Sequence, residues 1–248
     1  MKIFGTLLRR ELGSFFLSLT GYVIIAAVTL LIGSSFMMLI HNMEAKPFLM
    51  PVTQLFFNSL MYWLIVILIT PVITMRLFAL EKSTGTFETL MTTQVSDAQV
   101  VAAKFIAAVI FYMVAWLPTL ACLVIIQRFT NQPKLDPGMM GALYLGIFLS
   151  GSMFLAIGCL ASSLTRTQMV AAMVSLAVGL SLFILAYMAQ LPASSAAPAN
   201  LLFYFNLFKQ MEDFTRGVLD TQVVVFYVSA TFLFLFLTLR VVESRRWK

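Results

Sequence analysis

The chain has 248 residues, 61% of them hydrophobic and 10% charged, and its 16 Lys and Arg against 10 Asp and Glu leave a formal charge of +6. Soluble domains carry about 25% charged residues, and a mean hydropathy of +0.97 is more than one water-exposed core hides. A soluble globular domain is excluded. A lipid bilayer, as the solvent, removes the difficulty, because each run of roughly 20 apolar residues crosses its hydrocarbon layer as a helix.

In chain order, residues 3 to 16 put Ile3, Phe4, Leu7, Leu8, Leu12, Phe15 and Phe16 at helical spacing, with Lys2, Thr6, Arg9 and Arg10 mostly opposite. This predicts an interfacial helix with its basic edge toward head groups; the other reading is a plain extension of the first span. The charges among these apolar residues, and the length of the run that follows, do not match a cleavable signal peptide. Six apolar runs then predict six spans, at 19–40, 55–77, 102–126, 139–164, 167–191 and 222–239. Pro118 is expected to kink the third. The fourth is rich in small residues (Gly141, Gly146, Gly151, Ser152, Ala156, Gly158), which let backbones approach closely in lipid. The fold class is therefore an all-α membrane protein, a single integral domain over 1–248.

Cys122 and Cys159 lie inside apolar runs and read as buried small hydrophobes. Placing the amino terminus inside puts Lys46, Arg128, Lys134, Lys209 and Arg216 outside and the other eleven of the 16 basic residues inside. That bias has the sign of the positive-inside rule, so both termini face the cytoplasm. The positive balance follows from topology and does not point to nucleic acid.

The polar segments carry the functional information. The longest reads Leu80-Glu81-Lys82-Ser83-Thr84-Gly85-Thr86-Phe87-Glu88-Thr89-Leu90-Met91, and ends in a capping box, Ser96-x-x-Gln99, that starts the third span. Phe87, Leu90 and Met91 share one face of a short helix beginning near Gly85. Glu81, Gly85-Thr86, Glu88-x-Leu90 and Lys104-Phe105, in that order between spans two and three, resemble the coupling-helix loop of ABC-2 type transporter permeases. Gln94 stands where that pattern has proline. The turn Ser162 to Ala172, with a capping box at Thr165-x-x-Gln168, is similar to the family's turn between spans four and five. Phe208 to Asp220 resembles the gliding-motility and copper-enzyme-maturation branch.

The resemblance implies a permease subunit in a bacterial cytoplasmic (inner) membrane that dimerises and binds an ATP-binding cassette subunit at the coupling helix. Homodimer and heterodimer with a paralogue stay open. Glu81, Gly85, Thr86, Phe87, Glu88, Leu90 and Met91 are then the partner-binding residues, the apolar ones as anchors and the acids as orienting charges. The other reading of this loop is a solvated connection whose acids only cap helices. The chain has no G-x-x-x-x-G-K-[ST] loop, so it is not expected to be an enzyme; ATP and Mg are expected in the partner.

The outer segment places Phe205, Phe208, Met211 and Phe214 near one face, with Gly217 as the stop. Phe205, Phe208, Phe214 and Arg216 are the candidate outer gate, and an anchoring role is the alternative. The one histidine, His41, reads as a loop residue. An intramembrane protease needs paired acids or an H-E-x-x-H motif. An ion-coupled carrier needs ionisable groups at the midplane. The span interiors supply neither, which leaves transport of something bulky or amphipathic. A non-transport scaffold or assembly factor of a secretion or motility complex is the other functional class.

Overall fold

The computed structural model describes residues 2–44, 52–86, 96–129, 136–190 and 206–244. They form helices α1 (Lys2–Phe16), α2 (Leu19–Glu44), α3 (Val52–Phe57), α4 (Leu60–Thr74), α5 (Ala79–Ser83), α6 (Asp97–Trp116), α7 (Pro118–Phe129), α8 (Pro137–Leu164), α9 (Gln168–Met188), α10 (Leu207–Thr215) and α11 (Thr221–Ser244). No strand occurs among the described residues. Among the described residues six stretches are long and apolar enough to cross a membrane: Leu19–His41, Leu60–Ser83, Asp97–Ile125, Pro137–Leu164, Gln168–Met188 and Thr221–Ser244.

Four boundaries differ from the sequence expectation by five residues or more. The second apolar run does not start as one helix at Leu55. Ser59 donates to the Phe56 carbonyl (2.6 Å) and accepts from the Tyr62 amide (3.4 Å), so α3 stops and α4 restarts across it. Serine offers both functions at a helix start. The same span runs on past Leu77 to Ser83 after a break at residues 75–78. The third span begins at Asp97, five residues before Ala102, because Ser96 caps it: its Oγ accepts from the Gln99 amide at 3.4 Å. The sixth extends to Ser244, where Arg240 pairs with Glu243 at 3.0 Å.

The kink expected at Pro118 falls on a one-residue interruption between α6 and α7, at Leu117, within a single span. Proline brings no amide to the Val114 carbonyl, which accepts Leu117 instead at 3.1 Å. The Trp116 carbonyl takes the Tyr144 hydroxyl at 3.2 Å. The capping box expected at Thr165 does not form: Thr165 bonds back to the Ala161 carbonyl at 3.0 Å, and Thr167, which precedes α9, makes no side-chain cap.

The core is built around α8, which packs against α4, α6, α9, α10 and α11. In its span window 78% of residues are buried, against 22% for the first span and 11% for the sixth. The small residues read from the sequence are what allow this. A Cβ on Gly151 would lie 2.1 Å from the Tyr112 ring, and one on Gly158 would lie 2.0 Å from Thr74 Oγ1. Tyr112 and Thr74 are both fully buried, so neither side chain has room to retreat. Gly33 and Gly141 face open space.

Replacing Gly151 or Gly158 with Ala is expected to destabilise the protein by about 1–3 kcal/mol through overpacking. Gly33→Ala and Gly141→Ala are expected to be neutral or stabilising by up to about 1 kcal/mol, since alanine is the better helix former. Thermal unfolding in one detergent separates the two classes, and equal losses at all four positions would remove α8 from the centre of the packing.

Candidate functional site

At the end of the bundle that carries the amino terminus, four charged side chains from three helices meet. Lys104 lies two turns into α6 and is 2% exposed. Its ammonium donates to Glu11 Oε1 at 3.2 Å and to Glu81 Oε1 at 2.8 Å, and lies 5.6 Å from the centre of the Phe78 ring. Arg10 donates to the same two carboxylates, at 2.9 Å and 3.2 Å. A lone buried ammonium is costly, and pairing with more than one hydrogen-bonded carboxylate is what offsets it. Glu11 is itself buried on the inner face of α1, where Phe15 stacks on Phe111 of α6 at 4.9 Å. The network therefore ties α1, α5 and α6 together.

The joint between α4 and α5 is held from α8. Ser162 Oγ accepts from the Phe78 and Ala79 amides, both at 3.1 Å, and donates to the Met75 carbonyl at 3.3 Å. A hydroxyl has one proton and two lone pairs, so this one is fully used. Lys82 also donates to the Ser163 carbonyl. The stretch that carries Glu81 is thus anchored on two sides, by α8 at its start and by Lys104 in its middle. Gly85, with φ 73°, ends it in the left-handed region that glycine adopts without strain. Thr86 Oγ1 lies 2.9 Å from Thr84 Oγ1.

Beside the network is a cavity of about 510 Å³, lined among others by Arg10, Glu11, Arg76, Glu81 and Lys104. Glu81 Oε2 is buried without a hydrogen-bond partner. Among the described residues no three His, Cys, Asp or Glu side chains converge on a metal-sized site.

Of the expected partner-binding residues, Glu81 pairs with Lys104, Thr86 lines the same cavity, and Gly85, with open space around it, turns the chain between them. Phe87, Glu88, Leu90 and Met91 lie outside the described residues. Sequence reasoning did not single out Glu11, Arg10 or Ser162. For Glu11 a signal existed: it is the one acidic residue of α1 and stands four residues from Phe15 and three from Leu8, on the apolar side. For Ser162 the sequence gives none, since its three bonds are set by tertiary contact.

The opposite end is capped by α10. Phe208 and Phe214 are buried, with Phe208 5.5 Å from the Trp63 ring and 5.6 Å from Phe183. A Cβ on Gly146 would lie 2.8 Å from the Phe214 ring. Arg216 is exposed and pairs with Glu212, which also accepts from Gln54 at 3.0 Å. Gly217, φ 79°, stops the helix, and the Val218 amide closes on the Asp213 carbonyl at 2.9 Å. Burial raises the Asp213 carboxyl above its ordinary range, Glu212 and Asp220 add to this, and Lys209 and Arg216 oppose it. Phe205 lies outside the described residues. Phe208, Met211 and Phe214 do share one face, and it is turned into the core.

A family model described as ABC-2 family transporter protein matches residues 11–242. A search of curated proteins gives no match.

Lys104→Met is expected to cost about 1–3 kcal/mol, because Glu11 and Glu81 lose their buried donor and keep only the half-exposed Arg10. Adding Glu11→Gln and Glu81→Gln to it is expected to recover most of that loss. Thermal unfolding of the single and triple variants reads this out. A triple variant no more stable than the single one would show that Lys104 acts through packing and not through charge.

Proposed function

The chain belongs to the ABC-2 transporter family, and from that premise we propose that it is the permease subunit of an exporter whose ATP is hydrolysed by a separate cassette subunit. The observation that carries this reading is the Lys104 network, which joins the stretch beginning at Glu81 to both α1 and α6. A push on that stretch cannot stay local. Ser162 transmits it to α8, and Lys104 transmits it to α6 and, through Glu11, to α1.

The mechanism follows in three steps. Nucleotide binding closes two cassette subunits, with ATP and Mg held there and not in this chain. Closure moves the coupling segment, where Phe87, Leu90 and Met91 anchor the partner and Glu81 and Glu88 orient it. Apolar anchors with rim charges are the usual composition of such a contact. The motion tilts the second and third spans against a second permease protomer and switches access at their interface. In this arrangement both termini face the cytoplasm of a bacterial cell, which the distribution of Lys and Arg supports. A bulky or amphipathic cargo suits spans whose ionisable groups lie toward their ends and not at the midplane. Placement in the gliding-motility and copper-enzyme-maturation branch is proposed from the resemblance of residues 208–220 alone. For the outer cap, the burial of Phe208 and Phe214 favours anchoring over gating.

Affinity purification of the tagged chain from native membranes, with mass spectrometry of what accompanies it, is the test. An ATP-binding subunit is expected with the wild type and is expected to be lost with Phe87→Ala/Glu88→Lys. In an intact complex Glu88→Lys alone is expected to lower ATPase activity several-fold while the chain stays in the membrane. Unchanged ATPase activity would empty the coupling assignment. No ATP-binding subunit at near-native yield in mild detergent would favour the scaffold or assembly-factor reading.

A further inference from the structure

We propose that the cavity beside the Lys104 network binds the phosphate of an anionic phospholipid of the adjacent leaflet, with Arg76 as the principal contact. The inference needs the six spans to cross the membrane and does not depend on an ATPase partner.

Charge is the first observation. The cavity is lined by three cationic side chains, Arg10, Arg76 and Lys104, and by two carboxylates, Glu11 and Glu81. Lys104 and Arg10 are committed to both carboxylates at 2.8–3.2 Å. Arg76 is not. It donates to the Thr20 hydroxyl, and among the described residues no carboxylate lies within salt-bridge distance of it. The surplus positive charge of the cavity therefore resides on a guanidinium, the group whose planar fork matches phosphate oxygens.

Depth is the second. Thr20 is in the first turn of α2, and Arg76 follows the end of α4, so their bond fixes Arg76 level with the start of the first span and at the break in the second. Around this level the elbow between α1 and α2 exposes Leu17, Leu19, Tyr22 and Val23, at 85%, 81%, 62% and 59%. Large apolar side chains with a tyrosine among them mark the boundary where hydrocarbon gives way to head groups. The elbow is tightly built, since a Cβ on Gly21 would lie 2.0 Å from the Phe15 carbonyl oxygen. Basic pockets between spans at head-group depth are where anionic lipids are held.

Size is the third. About 510 Å³ is room for a phosphodiester head group; Ser14 and Thr86 also line the cavity, with their hydroxyls bonded to the Glu11 carbonyl and to Thr84. The occupant is a lipid and not a free anion because the exposed apolar elbow beside the cavity gives the acyl chains a surface.

The test uses the full chain, purified and delipidated in neutral detergent, and native mass spectrometry with phosphatidylglycerol, phosphatidylcholine and inorganic phosphate as separate probes. The wild type is expected to retain phosphatidylglycerol in preference to phosphatidylcholine. Arg76→Gln is expected to weaken phosphatidylglycerol binding about fivefold, the order expected for one basic residue at a lipid surface. Arg128→Gln, which removes the same charge beyond Pro118, is expected to bind as the wild type does. Three results would each overturn the proposal. They are equal phosphatidylglycerol binding by the two variants, no lipid preference in the wild type, and displacement of the lipid by millimolar phosphate. The second and third need no variant and stand even where Arg76→Gln fails to fold.

Discussion

Helices inside a bilayer gain nothing from being apolar toward one another, because lipid tails are equally apolar; close packing and buried polar bonds have to hold them. In this chain that condition falls on α8. Its glycines let Tyr112 of α6 and Thr74 of α4 come within a distance that a methyl group would occupy. Its serines then supply bonds where the backbones are near enough to use them. Ser150 meets the Tyr62 hydroxyl at 3.2 Å, and Ser162 caps the joint between α4 and α5. The second depends on the first: a hydroxyl on a helix held one ångström further away could not take two amides at 3.1 Å. The position of Glu81 is in this way set by glycines four and eleven residues before Ser162.

The ionic network is the second constraint, and it works differently. Close-packed apolar contacts fix a distance and lose energy steeply when it changes. Lys104 instead has two acceptors and Arg10 shares both, so the ends of α1, α5 and α6 are joined by bonds that can lengthen or be exchanged one at a time. Breaking the cluster altogether strands buried charge, which is expensive. The three helix ends are therefore held as a set while each keeps some freedom within it. That combination suits a segment proposed to receive a push from a soluble subunit and pass it on.

How much of this the sequence carries depends on the range of the interaction. The six spans were legible because hydropathy is a property of each segment alone. So were the disturbance of the third span at Pro118, the Ser96 cap and the Gly217 stop, each a local effect of one residue on its own backbone. The boundaries at Ser59 and Ser83 were not, since a continuous apolar run hides a helix that stops and restarts. Small residues named α8 as a packed helix but not what it packs on. Glu81 and Lys104 were quoted as parts of one motif without a reason for their pairing; the structure supplies it, and adds Glu11 from 93 residues away. Thr165 shows the reverse failure: its spacing from Gln168 fits a capping box, yet its hydroxyl is satisfied by its own helix.

The two ends of the bundle are built from opposite materials, and the contrast bears on where motion can enter. At the α10 end, Phe208 and Phe214 sit among aromatic rings and against Gly146, so displacing that cap means opening a cavity in the core. At the end bearing the amino terminus, α1 meets α6 through Phe15, Phe16 and Phe111, but the link to α5 is the ionic network, and a cavity of about 510 Å³ already lies beside it. A force applied there meets bonds that can be exchanged and space that can be filled, whereas the same force at the other end meets close packing. The lower resistance at the Lys104 end is the physical reason for placing the input at Glu81 and its neighbours, and for reading α10 as the fixed point against which the spans would turn.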